Sequence, residues 1–410
     1  MKKLFPFLFL GIFTSSIGIS QRINLDMVGN HISYLSADQL NGRGTGSNDE
    51  YKVAEYIANQ FKQMHLQPRG SKWFYYDFNF KHSGKAHDTS TTGLKLRKGR
   101  NVIAFLDNEA EFTIVIGAHH DHLGLGHDGN SLDANPANHI HNGADDNASG
   151  VAGVLELARY FSLNGIKEKT NFLFMTFSGE ELGLIGSKKW CERPTFPLNK
   201  INYMINMDMI GRMNDSTKKL MVLGTGTSDV WIPTLDKINP GFSIKYDSSG
   251  IGPSDQTSFY LKDIPVLQFF TGQHSDYHKP TDDANKINLK GETQILELII
   301  DLIFSLEQNG RINFYKTVAP KSEKMSFKVT LGVMPDYTFD GKGMRLDGVS
   351  ENKPASKAGL LGGDIIIGIG TDTVEDVKGY MKILSSYNKG EKAKVIYVRN
   401  GQEQETEVIF

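Results

Sequence analysis

The chain is nearly without cysteine. Cys191 stands alone among 410 residues, so no intrachain disulfide is possible. A chain of this length buries enough apolar surface to fold without one. It also lacks an excess of charge of either sign. Lys and Arg number 45 against 47 Asp and Glu, a formal net charge of −2, and no long basic run or aromatic-basic stripe breaks the mixture. That balance excludes charge-driven attraction to nucleic acid or to an anionic membrane. Internal repeats and low-complexity segments are absent too.

The N-terminus has its own pattern. Lys2 and Lys3 precede an apolar run, Leu4–Phe13, and small and polar residues lead to Gly18-Ile19-Ser20 before Gln21. A charged region, an apolar stretch and a small-x-small site predict a signal peptide over residues 1–20, cut after Ser20. The mature chain is then expected in the periplasm or outside the cell. The apolar run is too short to span a bilayer. Gln21, not cysteine, follows the cleavage site, so no lipid anchor and no stable membrane anchor are expected.

Residues 21–312 alternate β-rich runs with helical patterns. Predicted strands are 101–106, 112–119, 171–177, 201–208, 219–224 and 265–270, several of them apolar on both faces, as strands in a covered sheet are. In Asp49–Met64, Val53, Ile57, Phe61 and Met64 recur at helical spacing, with Asn48 or Ser47 as cap. Ser149–Leu163 and Gln294–Leu306 read as further helices. Alternating strands and helices predict an α/β fold, a mostly parallel mixed sheet sandwiched by helices, with ligands beyond the carboxyl ends of the strands. Residues 313–325 read as a linker. Residues 326–410 carry short strands and two helices, enough for a small separate domain.

Histidines and carboxylates gather at those strand ends. His119 and Asp121 form H-x-D; Asp145 and Asp146 open a helix; Glu180 and Glu181 are adjacent; Asp208 lies in Asn206-Met207-Asp208-Met209-Ile210-Gly211; His278 lies in Asp276-Tyr277-His278-Lys279-Pro280-Thr281-Asp282. Each element alone is ordinary, and Asp-Asp-Asn is usually a turn. Together they match what a two-metal hydrolase needs: neutral imidazoles, a bridging carboxylate, an open position for water and a free carboxylate as base. Adjacent glutamates let one bind metal while the other stays free.

These motifs resemble the co-catalytic zinc aminopeptidase family, which includes secreted bacterial leucyl aminopeptidases and the related glutamate carboxypeptidase II. Carrying the likeness are H-x-D, G-A-D-D-N-A-S-G from Gly143, S-G-E-E-x-G from Ser178, N-x-D-M-x-G and Y-H-x-P-x-D, in that order, with the opening Leu35–Ser47. The resemblance covers residues 30 to 308 and implies a zinc exopeptidase fold with two Zn2+ per chain. It implies that His119 and Asp208 hold one ion, Glu181 and His278 the other, and Asp146 bridges them. Glu180 would be the general base, and the Asp121 carboxylate would orient His119. Peptides with a free N-terminus are the implied substrates.

The chain departs from the family at one point. Some members place a Tyr before a Ser-Asp-His triplet; here Ser254-Asp255-Gln256 has neither that Tyr nor the His, leaving Tyr277 and Tyr246 as oxyanion candidates. The Gly/Asn/Asp-rich segment 122–142, with His127, His139 and His141, is expected to form a mobile wall over the site. A third metal site there is the alternative. Leu331-Gly332-Val333 and Ala358–Ile369 resemble a PDZ domain, which implies a groove for a peptide or protein C-terminus. Competing functions are a carboxypeptidase or dipeptidase with Arg212 or Lys279 in a carboxylate pocket, a single-zinc glutaminyl cyclase, and a catalytically dead receptor or scaffold using its PDZ domain, since transferrin receptors resemble this fold without the full ligand set.

Overall fold

The computed structural model describes residues 22–82, 94–317, 329–336, 339, 341–349 and 352–410. The expected signal peptide, Gln21 and most of the expected linker lie outside them. In chain order the first strands are β1 (Gln67–Pro68), β2 (Tyr75–His82), β3 (Lys95–Leu106), β4 (Thr113–His119), β5 (Asn171–Phe177), β6 (Ile201–Met207), β7 (Lys219–Leu223), β8 (Ser243–Asp247) and β9 (Val266–Phe270). They form one sheet in the order β1-β3-β5-β4-β6-β9-β7-β8, with β2 paired to β3. The central run β5-β4-β6-β9 is parallel. Antiparallel pairing to β3 closes one side, and antiparallel β7 opens the other.

Side-chain alternation explains the layers. Ile114 and Ile116 of β4, Phe172 and Phe174 of β5, and Tyr203 and Ile205 of β6 enter one apolar core; Val115, Leu173, Met175 and Met204 between them enter a second. Both faces are therefore covered, as parallel strands require. Helices α1 (Leu25–Leu35), α2 (Asn48–Gln63), α3 (Gly150–Leu163) and α7 (Leu289–Leu306) supply the first core, joined by Trp231 and Leu235 of α5 (Trp231–Ile238). Trp190 of α4 (Ile185–Glu192) and Phe259 of α6 (Gln256–Tyr260) supply the second. Ser47 caps α2 by accepting the Glu50 N–H at 3.1 Å. Among the described residues, no helix is long and apolar enough to cross a membrane.

The C-terminal sheet runs β10 (Val333–Pro335), β11 (Met344–Val349), β12 (Ile365–Ile369), β14 (Lys392–Arg399) and β15 (Gln402–Ile409), with the short β13 (Asp372–Thr373) on β12. Helices α8 (Pro354–Lys357) and α9 (Val377–Leu384) belong to this unit, whose core includes Leu331, Leu346, Ile366, Tyr380 and Val395. Asn400-Gly401, both at positive φ, turn β14 into β15. That is the turn an Asn-Gly pair favours.

Candidate metal centre

Four parallel strands deliver the site. His119 ends β4, Glu180 and Glu181 follow β5, Asp208 follows β6, and His278 lies in the turns after β9. Asp146 comes from the irregular turn Ala144–Ser149 at the head of α3, where the Asp146–Asn147 peptide bond is cis. The Asn147 side chain ties this turn to the end of β6, donating to the Met207 carbonyl and accepting the Met209 N–H.

The tautomers of the two histidines are fixed by carbonyls. His119 Nδ1 lies 3.1 Å from the main-chain oxygen of Asp121, and His278 Nδ1 lies 2.7 Å from that of Asn130. A carbonyl only accepts, so each Nδ1 carries a proton, and it is Nε2 that can offer a lone pair to a cation. Both Nε2 atoms face anions. His119 Nε2 is 3.3 Å from Asp146 Oδ1, 3.4 Å from Asp208 Oδ1 and 3.9 Å from Glu180 Oε2. His278 Nε2 is 3.2 Å from Asp146 Oδ2 and 3.1 Å from Glu181 Oε2.

A bare Nε2 lone pair facing carboxylates is repulsive unless positive charge, a proton or a metal ion, lies between them. Among the described residues, every ion pair of Asp146, Glu180, Glu181 and Asp208 is with histidine, never with Lys or Arg. Burial opposes protonation of His119 and His278, yet the surrounding carboxylates raise both well above the usual range. Burial likewise pushes Glu180 well up. Zinc bonds of ~2.0–2.1 Å in a tetrahedron separate ligands by about 3.3 Å, the spacing observed. His119, Asp146 and Glu181 also bring a ligand atom each within 4.8 Å of one another. The residues fit metal.

The neighbours fall into clear roles. Asp145 turns away: its Oδ1 accepts the Gly211 N–H at 2.7 Å and its Oδ2 faces His274 Nε2 at 3.2 Å. The Asp121 carboxylate, expected to orient His119, has closer partners than that ring. It lies 3.8 Å from His119 Nδ1, whereas it accepts the Thr45 O–H at 2.6 Å and the Glu180 N–H at 3.1 Å. The main chain of Asp121 holds the imidazole, and its side chain anchors the Glu180 turn. Tyr246 is removed from the oxyanion candidates, because it sits on β8 and donates to Asp236 at 2.7 Å. Tyr277 stacks on His278 with ring centroids 3.9 Å apart.

The segment 122–142 is fastened to the site. Asn130 Nδ2 donates to the Glu181 carbonyl, the Leu132 N–H donates to the His278 carbonyl at 2.9 Å, and Arg97 grips Asp128 through two bonds of 2.8 and 2.5 Å. His127, His139 and His141 each have a separate partner, in Asn138, Asp133 and Ser131. They make no third metal site among the described residues. Sequence reasoning missed Arg43, His122 and Asp282, which brace the centre. Asp282 was visible only as the end of its motif. His122 extends H-x-D by one residue.

Residues 101–303 match peptidase family M28, and residues 328–410 match the PDZ domain. The chain is a member of peptidase family M28 carrying a PDZ domain. Among curated relatives, the chain is 33% identical over 157 residues to leupeptin-inactivating enzyme 1 of Streptomyces exfoliatus, covering 35% of this chain and 32% of that protein. It is 27% identical over 174 residues to aminopeptidase YwaD of Bacillus subtilis, covering 40% and 37%. The chain thus spans about a third of the length of these two relatives. Among solved structures, the zinc aminopeptidase BSAP of Bacillus subtilis superposes with a TM-score of 0.54 at 17% identity, over 71% of this chain and 96% of that one. Porphyromonas gingivalis glutaminyl cyclase does so with 0.53 at 18%, over 70% and 99%. At such identity the likeness is one of fold.

Proposed function

We propose that this chain is an exported M28 aminopeptidase that uses two zinc ions and Glu180 to remove N-terminal residues from peptides. One observation carries the reading. The two oxygens of Asp146 are divided between His119 and His278, as a carboxylate bridging two cations requires. His119, Asp208 and Asp146 would hold one ion; Glu181, His278 and Asp146 the other. Bound there, zinc supplies Lewis acidity and a water acidic enough to react near neutral pH.

Glu180 is the free carboxylate. Its turn is pinned by the bond from its N–H to Asp121. Burial raises its affinity for a proton, which suits a group that takes one from the attacking water and returns it to the leaving amine. The surplus of carboxylates favours a substrate ammonium over a substrate carboxylate. Arg212, which a carboxylate pocket would use, donates instead to Asp276 at 3.1 Å. That supports an aminopeptidase over a carboxypeptidase or dipeptidase. The bridging geometry supports a peptidase over a single-zinc cyclase. Export rests on the leader pattern of residues 1–20, and the PDZ domain supports a second contact with a peptide or protein C-terminus.

The deciding experiment presents free and amino-blocked peptides of one sequence, with and without chelator. Cleavage of the free peptide alone, abolished by chelator and restored by zinc, is expected. Equal cleavage of both peptides, or resistance to chelation, overturns the proposal.

A further inference from the structure

His122 is not among the expected metal ligands, yet it reaches one of them. We propose that His122 is a positioning residue that restricts Glu181 to one-oxygen ligation and so keeps a coordination position open at the second cation. This rests on the metal centre proposed above.

The two oxygens of Glu181 are shared out. His122 Nδ1 lies 2.7 Å from Oε1, while His278 Nε2 lies 3.1 Å from Oε2. A carboxylate beside a divalent ion can bind with both oxygens. Here Oε1 is occupied by an N–H, and only Oε2 faces the position that His278 and Asp146 share. A hydrolytic site needs such a free position for water or substrate.

His122 is built for one orientation. The residue is 1% exposed. Its backbone N–H donates to the Arg43 carbonyl at 3.2 Å. Gly143, at φ 56°, leaves space for the ring, since a Cβ there would lie 2.4 Å from His122 Cδ2. Nε2 is buried with no partner. With the proton on Nδ1, as the bond to Glu181 requires, only a lone pair is left there and no donor is stranded. Direct ligation is the competing role. It would put Nδ1 and a Glu181 oxygen on one ion, and the 2.7 Å between Nδ1 and Oε1 is shorter than the separation of about 3.3 Å that two ligands of a tetrahedral zinc keep. Nδ1 is also 3.8 Å from Asp146 Oδ2, beyond hydrogen-bond reach, so Glu181 is its one strong contact in the centre.

The test compares H122F, H122A and H122N in the full chain. Zinc affinity is measured by chelator competition, cobalt-substituted protein gives absorption spectra, and the Tm of chelated protein controls for folding. H122F and H122A should weaken one of the two sites on the order of tenfold, as loss of a ligand's supporting contact does, and leave the other unchanged. The cobalt bands of the weakened site should fall in intensity as a second oxygen joins. Asn offers an N–H near the place of Nδ1, so H122N should recover most of the affinity. Unchanged zinc affinity in both H122F and H122A overturns the role. Equal loss in all three variants overturns it too, because it makes the ring itself a ligand. A wild-type chain that binds no zinc overturns the metal centre as well, and is told apart from the other results by the wild-type measurement alone.

Discussion

The Asp282 carboxylate accepts the backbone N–H of Asp146 at 3.0 Å. The same oxygen accepts the N–H of Asp145, also at 3.0 Å. One buried side chain therefore holds the turn that presents Asp146, the proposed bridging carboxylate. In D282A two buried amides lose their acceptor, at about 1–3 kcal/mol each. Denaturant unfolding of chelated protein should show a loss of about 3 kcal/mol, and zinc should bind more weakly. D282N keeps an acceptor oxygen and should lose less. Equal stability of D282A and wild type would break this account of the turn.

Glu180 and Asp146 should separate chemistry from metal binding. E180Q is expected to lower kcat on the order of 10³-fold, within the range of general-base catalysis, with zinc content unchanged by atomic absorption. D146A should lose zinc. Full activity in E180Q, or full zinc content in D146A, would reassign that residue.

Chelation should destabilise as well as inactivate. Without cations, Asp146, Glu180, Glu181 and Asp208 confront one another with only histidines as counter-charges and no Lys or Arg ion pair among the described residues. A ligand that binds only the folded state raises stability in proportion to the logarithm of its concentration above Kd. The Tm should therefore climb with free zinc, and a Tm insensitive to zinc would count against the centre.

The Arg97–Asp128 pair secures the segment whose Asn130 carbonyl fixes His278. The pair is bidentate and mostly shielded, with side chains 25% and 16% exposed, and an interaction of this kind contributes up to about 1 kcal/mol. R97Q should therefore cost a few-fold in zinc affinity or kcat while folding normally. Adding salt should affect wild type more than R97Q. Identical salt dependence of the two proteins would separate the pair from the site.

His31 supplies a pH-dependent contribution of its own, outside the proposed ligand set. It is 2% exposed and bonds Tyr56 at 2.7 Å; burial pulls its pKa from 6.5 to about 4. The folded state resists protonation where the unfolded chain accepts it. Its stabilising contribution is complete above pH 6.5 and is lost as pH falls toward 4. The gap corresponds to ~3 kcal/mol. A His31→Phe variant should lose less stability than wild type between pH 6.5 and 4, as followed by urea unfolding of chelated protein. Parallel curves would reject the assignment.

Legibility followed burial. The strands β4, β5, β6 and β9 were readable because unbroken apolar runs have no other home, and the ligand candidates stood at their ends. Strand β2 was missed although Tyr76, Phe78 and Phe80 alternate inward; short period-2 runs between polar residues are easily taken for loop. The first half of β3, Lys95–Arg100, is mostly polar and gave no signal. At the site, residue type marked the candidate metal-binding groups but not which atom does the work. Nothing in the sequence says that Asp121 holds His119 with its main chain while its carboxylate serves Glu180. Contacts such as Asn130 to His278, 148 residues apart, exist only once the chain is folded.

Arg43 is 1% exposed. Its guanidinium donates to the carbonyls of Leu35, His120, Asn142, Gly143 and Asp146. Residues 101–303, the stretch that matches family M28, do not contain it. A protein engineer trimming the chain to that stretch would keep every proposed ligand and discard the bolt that fastens their loops. Such a fragment should express as an incomplete shell, and adding Leu35–Ser47 in trans should not rescue it, because a buried guanidinium must be threaded during folding.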